Sequence, residues 1–332
     1  MKTRETPPVP EGPDGARPFG PPFPTFGGVR PWHPGSRAAL VVMGVPYDAG
    51  TTNRPGTRFG PRAVREASWT GPLARRPEFM DRETATPLPL ADALADAGDV
   101  WLEHENLEQD WPHITRAAGL ILEAGAVPVT LGGDHSITYP VLKAFEPTPV
   151  HYVHLDTHLD CDTIFPTGWT HGSPVARIHQ DGLTRSLTLL GIRGLTNSGH
   201  DAAWIREAGA VVIPARELRR LDEARLAERL PRGPFYVSVD VDFFDPAVAP
   251  GTGTPEPGGL FFPHFQTIVS AIARRGPIVG FDVVEVSPIL EGPHGKTARL
   301  AACCVLELAA AVLSRSKDAP NHIGGTHEPL RR

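Results

Sequence analysis

The segment HLDTHLD, residues 154–160, sets Asp156, His158 and Asp160 two residues apart directly after the apolar run PVHYV. In an extended backbone alternate side chains share a face, so these three would point one way and Leu155, Thr157 and Leu159 the other. A polar loop with chance alternation would read the same over so short a stretch. Two further segments add donors of the same kind. VPVTLGGDHS follows an apolar run with Asp134 and His135, and YVSVDVDFFDP alternates Val237, Val239 and Val241 against Ser238, Asp240 and Asp242. Two carboxylates on one face of a buried strand repel each other unless cations or hydrogen bonds offset them. An acidic edge strand facing solvent would carry the same pattern. The pooled donors are His135, Asp156, His158, Asp160, Asp240 and Asp242, two imidazoles and four carboxylates. Four negative charges match two divalent cations, and this oxygen-rich set suits manganese better than zinc or copper, with nickel, cobalt or iron as alternatives. Two such ions can share a water, lower its pKa and present hydroxide at neutral pH, the chemistry of hydrolysis at an unreactive carbon or phosphorus centre.

Donors so far apart in sequence need a scaffold that gathers them. Apolar runs predict strands at 39–45, 127–131, 150–156, 186–192, 210–214, 235–242 and 278–285, and amphipathic runs predict helices at 61–68, 112–124, 138–145, 201–208, 222–230, 263–274 and 297–314. Pro112 as a first-turn residue and Gly125 past the end frame one of these helices. Such alternation means βαβ units, hence an α/β fold with a mostly parallel sheet covered by helices on both faces. The donor segments, and Glu285 in IVGFDVVEVSP, all fall at carboxyl ends of predicted strands, where open α/β sheets bind ligands. The pattern predicts one domain over 36–332, preceded by a Pro- and Gly-rich arm at 1–35 carrying Phe19, Phe23 and Phe26. Proline forbids that arm a helix or a central strand, so it is expected to lie over the body of its own or an adjacent subunit.

Charge and composition narrow the partners. A formal net charge of -6 with both signs interspersed leaves no footprint for nucleic acid or an anionic membrane. The start has no apolar signal region, and LAACCVLELAAAVL near the end reads as too short to span a bilayer and contains Glu307, so the expectation is a cytoplasmic enzyme. Cys161, Cys303 and Cys304 read as reduced thiols, with Cys161 facing away from Asp160. His154 reads as a satisfied core histidine or a support for the ligands, and His151 as packing or surface. GTTNRPGTRFGP lacks the spacing of a phosphate cradle and reads as a turn shaping a pocket wall.

GGDHSITYP, HLDTHLD, SVDVDFFDP with APGTGTPEPGGL, and FDVVEVSP resemble, in this order, the signature blocks of the ureohydrolase superfamily of arginase and agmatinase. GVPYDAGTTNRPGTRFGPRAVRE resembles the agmatinase branch, so the resemblance runs from about Val41 to the final helix. It implies a three-layer α/β/α fold, a binuclear manganese centre, hydrolysis of a small-molecule guanidino substrate to urea and an amine, and a homotrimer or homohexamer. One metal would take His135, Asp156, Asp160 and Asp240, the other Asp156, His158, Asp240 and Asp242. By the same resemblance Asp160 hydrogen-bonds the hydroxide and passes its proton to the leaving amine, His171 shuttles protons at the pocket mouth, Glu285 holds the guanidinium, and Thr254 lines the floor.

The chain departs from the family pattern at Thr157, where most members have Ala, and in the loop CDTIFPTGWT, which lacks the Asn and Ser with which arginases grip arginine. That loop has no Lys or Arg. Asp162 could hold an amine there, and Phe165 and Trp169 an alkyl chain, which fits agmatine. Arg193 or Arg54 could instead meet a carboxylate, as 4-guanidinobutyrate or a proclavaminate-like substrate would require. A catalytically silent partner subunit is the other class of reading, and it would be expected to have lost ligands that this chain retains.

Overall fold

Eight strands form one sheet: β1 (Leu40–Val45), β2 (Leu94–Asp99), β3 (Val127–Gly132), β4 (Val150–Leu155), β5 (Thr184–Leu190), β6 (Val211–Ile213), β7 (Phe235–Asp240) and β8 (Ile278–Val284). They belong to a computed structural model that describes residues 24–69, 79–81, 86–88, 90–102, 107–163 and 168–318. Every pairing in the sheet is parallel, and the order is β2-β1-β3-β8-β7-β4-β5-β6. Parallel neighbours need long crossovers. The longer helices on these connections and after the last strand are α1 (Gly60–Ser68), α2 (Leu107–Glu123), α3 (Thr138–Lys143), α4 (Pro174–Gln180), α5 (Gly199–Glu207), α6 (Glu223–Arg229), α7 (Phe262–Arg275) and α8 (Lys296–Asp318). Leu40 and Val42 of β1 join one apolar cluster while Val41 and Met43 join another, so the sheet has a core on each face and the chain is a three-layer α/β/α sandwich, as expected.

Strand β2 escapes sequence reading because LADAGD is short, acidic and glycine-bearing. Its polarity is neutralised inside the fold. Asp96 is fully buried and takes two bonds from the Arg65 guanidinium of α1, at 2.9 and 3.0 Å. The same carboxylate accepts the Phe26 N–H at 2.7 Å. On the outer side of β2, Trp32 N–H donates to the Asp96 carbonyl at 2.8 Å and Asp96 N–H to the Arg30 carbonyl at 3.0 Å. The described part of the arm therefore docks on the body of its own chain, with Phe26 and Trp32 buried; Phe19 and Phe23 lie outside the described residues.

Three expectations need correction. Helix α2 starts at Leu107, so Pro112 sits within it and not in its first turn. Strands β4 and β7 stop at Leu155 and Asp240, so Asp156 and Asp242 stand just beyond the strands, Asp242 in a 3-10 turn over Val241–Phe243. The last helix is longer than its apolar core suggested: Lys296–Ser314 is long and apolar enough to cross a membrane by length and composition alone. Its Ala301, Ala302, Cys304, Val305, Leu308 and Ala309 are buried in the core, where it packs on α1, α7 and β8.

Candidate active site

Strands β3, β8, β7 and β4 are neighbours in the middle of the sheet, and their carboxyl ends deliver the donors to one place. His135 Nδ1 lies 3.1 Å from Asp156 Oδ2, 3.0 Å from Asp160 Oδ2 and 3.3 Å from Asp240 Oδ2. His158 Nδ1 lies 3.3 Å from Asp156 Oδ1 and 3.0 Å from Asp242 Oδ2. Two groups could each hold a metal ion, one of His135, His154, Asp156 and Asp160, the other of Asp156, His158 and Asp242. Asp156 belongs to both. Asp240 reaches the first group through Oδ2, while its Oδ1 accepts the Asp242 N–H at 2.8 Å. All six donors named from sequence are thus brought together. His154 is drawn in as well, with its ring stacked on His135 at 4.8 Å and its Nε2 3.2 Å from Asp156.

The route to this convergence is not the simple alternation of an extended segment. Asp156 and His158 occupy a bend after β4, and Asp160 adopts a left-handed backbone at φ 46°. Glu285, just past β8, does the same at φ 64°. A left-handed non-glycine residue costs about 1–3 kcal/mol, a strain sustained where the surrounding structure over-determines it. Among the described residues, these two are the only non-glycine positions with positive φ.

Electrostatics show what such crowding demands. Burial, then the charges of Asp242 and Asp156, pushes the Asp240 carboxyl well above the ordinary carboxylate range. Burial and Asp156 push Asp242 up to about 6. Burial opposes a charge on His135 too, yet the carboxylates of Asp156, Asp160 and Asp240 close around its Nδ1 outweigh it and raise the ring well above its usual value. Asp240, Asp242 and His135 therefore draw in protons wherever cations are not supplied, whereas Asp156, despite its burial, is held well below the ordinary carboxylate range by His154, His135 and His158. Despite these close approaches neither His135 Nδ1 nor Asp156 Oδ2, both buried, makes a well-directed hydrogen bond, a need that a cation would satisfy. Imidazole nitrogens and carboxylate oxygens at this spacing fit divalent metal ions.

Beside the cluster, Glu285 is buried, and its Oε1 accepts the His135 N–H and the His171 Nδ1–H, both at 2.9 Å. Its Oε2 has no hydrogen-bond partner. His171 Nε2 faces the Thr52 N–H at 3.2 Å and the Thr52 hydroxyl at 2.9 Å. Burial disfavours a charged His171, but Glu285 outweighs it and lifts the ring to about 9, while the Thr52 N–H favours a neutral Nε2. The ring accepts a second proton only by surrendering that bond. Thr52 was not legible as a site residue, since it sits in a loop read as structural. The Thr254 hydroxyl donates to Asp242 Oδ2 at 3.4 Å.

The loop residues proposed to choose the substrate are placed differently. Trp169 packs its ring against Trp111 at 4.6 Å and Tyr139 at 4.9 Å, with the Arg177 guanidinium 3.2 Å over it. Asp162 is half-buried and its N–H donates to the Gly172 carbonyl at 2.8 Å; Phe165 lies outside the described residues. Arg193 does not reach outward: its guanidinium donates to the carbonyls of Gly191, Asp242, Phe243, Phe244, Glu256 and Pro257. Arg54 donates twice to the Gly253 carbonyl, at 2.8 and 2.6 Å. Thr157 is buried, and its N–H donates to Asp242 Oδ1 at 3.3 Å. Cys161, Cys303 and Cys304 are free thiols.

A comparison with family models matches residues 38–311 to the arginase family. The chain belongs to the arginase family. It is 40% identical to the guanidinopropionase of Pseudomonas aeruginosa over 282 residues, which is 82% of this chain and 86% of that protein. It is 39% identical to the mitochondrial agmatinase of Gallus gallus over 281 residues, 81% of this chain and 79% of that one. The structure of the proclavaminate amidino hydrolase from Streptomyces clavuligerus superposes with a TM-score of 0.77 at 34% identity, covering 90% of this chain and 99% of that one. This member of the arginase family is accordingly an amidinohydrolase acting on guanidino compounds.

Proposed function

We propose that the chain hydrolyses a short linear guanidino compound to urea and an amine, with two manganese ions as cofactor. The observation that carries this reading is Glu285: a buried carboxylate beside six clustered donors, with one oxygen fixed and the other unpartnered. His135, Asp156, Asp160 and Asp240 would hold one ion, and Asp156, His158, Asp240 and Asp242 the other. Bound there, the ions would lower the pKa of a water for attack on the guanidinium carbon. Glu285 holds the planar cation through its Oε2, steadied by His135 and His171 on Oε1. Asp160 takes the attacking water's proton and gives it to the leaving amine, and His171 exchanges protons with solvent across Thr52. Thr254 lines the floor beside Asp242.

For the substrate's tail the first reading is agmatine. Of the two arginines that could meet a carboxylate, Arg193 is consumed by six carbonyls, and Asp162 puts a negative charge on the loop. A second reading, a short guanidino acid, is favoured by the similarity to guanidinopropionase. Urea release from a panel of guanidino compounds with added manganese tests both. The expected order of kcat/KM is agmatine, then 4-guanidinobutyrate, then arginine, with Asp162→Asn weakening agmatine selectively. A parent enzyme that prefers a guanidino acid replaces the first tail with the second, and one that releases urea from none of them refutes the reaction.

A further inference from the structure

Beneath the metal cluster lies a row of polar side chains that the reaction does not use. Strand register sets Thr130 of β3, Asp282 of β8, Ser238 of β7 and His154 of β4 side by side across the sheet. All four are completely buried in a sheet whose two faces are covered. Burying a carboxylate there is costly unless its oxygens are paired. Those of Asp282 are paired, and in a directional way: Tyr236 O–H donates to Oδ2 at 2.7 Å, and Ser238 O–H donates to Oδ1 at 2.5 Å.

A hydroxyl has a single proton. Ser238 gives its proton to Asp282, so toward His135 Nε2, 2.8 Å away, its oxygen can only accept. Nε2 then carries the ring's hydrogen, and in a neutral imidazole Nδ1 is left with its lone pair. Nδ1 is the atom that faces Asp156, Asp160 and Asp240. The opposite tautomer would turn an N–H toward the place where a cation belongs. We propose that Asp282, acting through Ser238, is a positioning residue that fixes His135 in the one tautomer and ring orientation able to ligate a metal. The relay rests on the reading of His135 as a ligand, and it concerns only the ion that His135 holds.

The test is a titration of the metal-free full-length chain with Mn2+ alone, following free Mn2+ by electron paramagnetic resonance, for the parent, Ser238→Ala, Ser238→Thr and Asp282→Asn. Supporting groups of this kind change metal affinity by about 10- to 100-fold. Expected are two ions bound by the parent, and a loss of that size for one ion only in Ser238→Ala and Asp282→Asn. The other ion, held with His158, should keep its affinity. Ser238→Thr, which retains a hydroxyl, should restore most of the loss. Merely structural damage would weaken both ions together and lower the melting temperature of the metal-free chain, and that outcome overturns the relay. So does parent-like binding of both ions in Ser238→Ala, a substitution small enough to leave the fold in place even where Asp282→Asn does not fold. A parent chain that binds no manganese would remove the metal assignment itself, and the relay with it.

Discussion

Glu285 commits one oxygen to the His135 N–H and His171 and leaves the other unpartnered, the oxygen proposed to meet substrate. Glu285→Gln keeps the shape and removes the charge, so turnover should fall by at least about 100-fold, the scale of losing a preorganised electrostatic contact, while metal content measured by elemental analysis stays at the parent value. Loss of metal in that variant would make Glu285 a ligand and contradict the role. Asp240 is the complementary case. Proposed to touch both ions, it should on substitution by Ala cost bound manganese outright, and a variant with full metal content would rule the assignment out. The titration of the cluster gives a sign as well. Asp242, raised to about 6, stabilises the metal-free fold below the ordinary carboxylate pKa and loses that contribution as pH climbs through 6. His158 is raised as well, to about 12: burial opposes its charge, but Asp242 and Asp156 outweigh it, so its contribution likewise fades as pH rises above the usual imidazole value. Without metal the fold should therefore lose stability from these groups between pH 5 and pH 8. Manganese replaces the missing protons, so its addition should raise Tm more at pH 8 than at pH 5 in a thermal melt. An equal gain at both would contradict the coupling of protons and metal.

Turns, more than strands, fix the site. Gly133 lies where a Cβ would come 1.9 Å from the Tyr47 carbonyl oxygen, a backbone atom that cannot swing aside. Gly133→Ala should therefore push the β1 and β3 loops apart, at a cost of about 1–3 kcal/mol or more, and displace His135. A fall in the urea midpoint accompanied by weaker manganese binding is expected, and an unchanged midpoint would show that the loops are free to separate. Arg193 belongs to the same scale. Its carbonyl bonds tie the turn bearing Asp242 to the loop at Glu256 and Pro257. The sequence marked Arg193 as a possible hand for substrate because charge is visible in a string of letters, whereas backbone carbonyls waiting to receive it are not. The same limit explains the other differences. Seven strands and the six donors were legible, because apolar runs and repeated Asp and His types carry their meaning locally. Strand β2 was not, since Asp96 becomes tolerable there only through Arg65, 31 residues away. The left-handed turns at Asp160 and Glu285 were hidden as well, for neither residue type announces that conformation.

At the scale of the whole molecule, the resemblance implies more than one subunit, and we expect light scattering to give a multiple of the 35.7 kDa chain. An active enzyme that stays strictly monomeric at micromolar concentration would contradict this. The contacts of the arm bear on a different hazard. A sheet end offers a row of open N–H and C=O groups on which a stray chain can polymerise. The two ends of this sheet answer that threat by different means. At β6 the end strand is only three residues, Val211–Ile213, too short to serve as a useful template. At β2 the margin is six residues, and there Arg30, Pro31 and Trp32 lie along it, with Pro31, which has no N–H of its own, bridged to Asp96. The segment thus covers the open end of the sheet, and a shortened chain lacking residues 24–32 should refold in lower yield and form aggregates that bind thioflavin T; a parent-like yield of soluble protein would contradict a protective role.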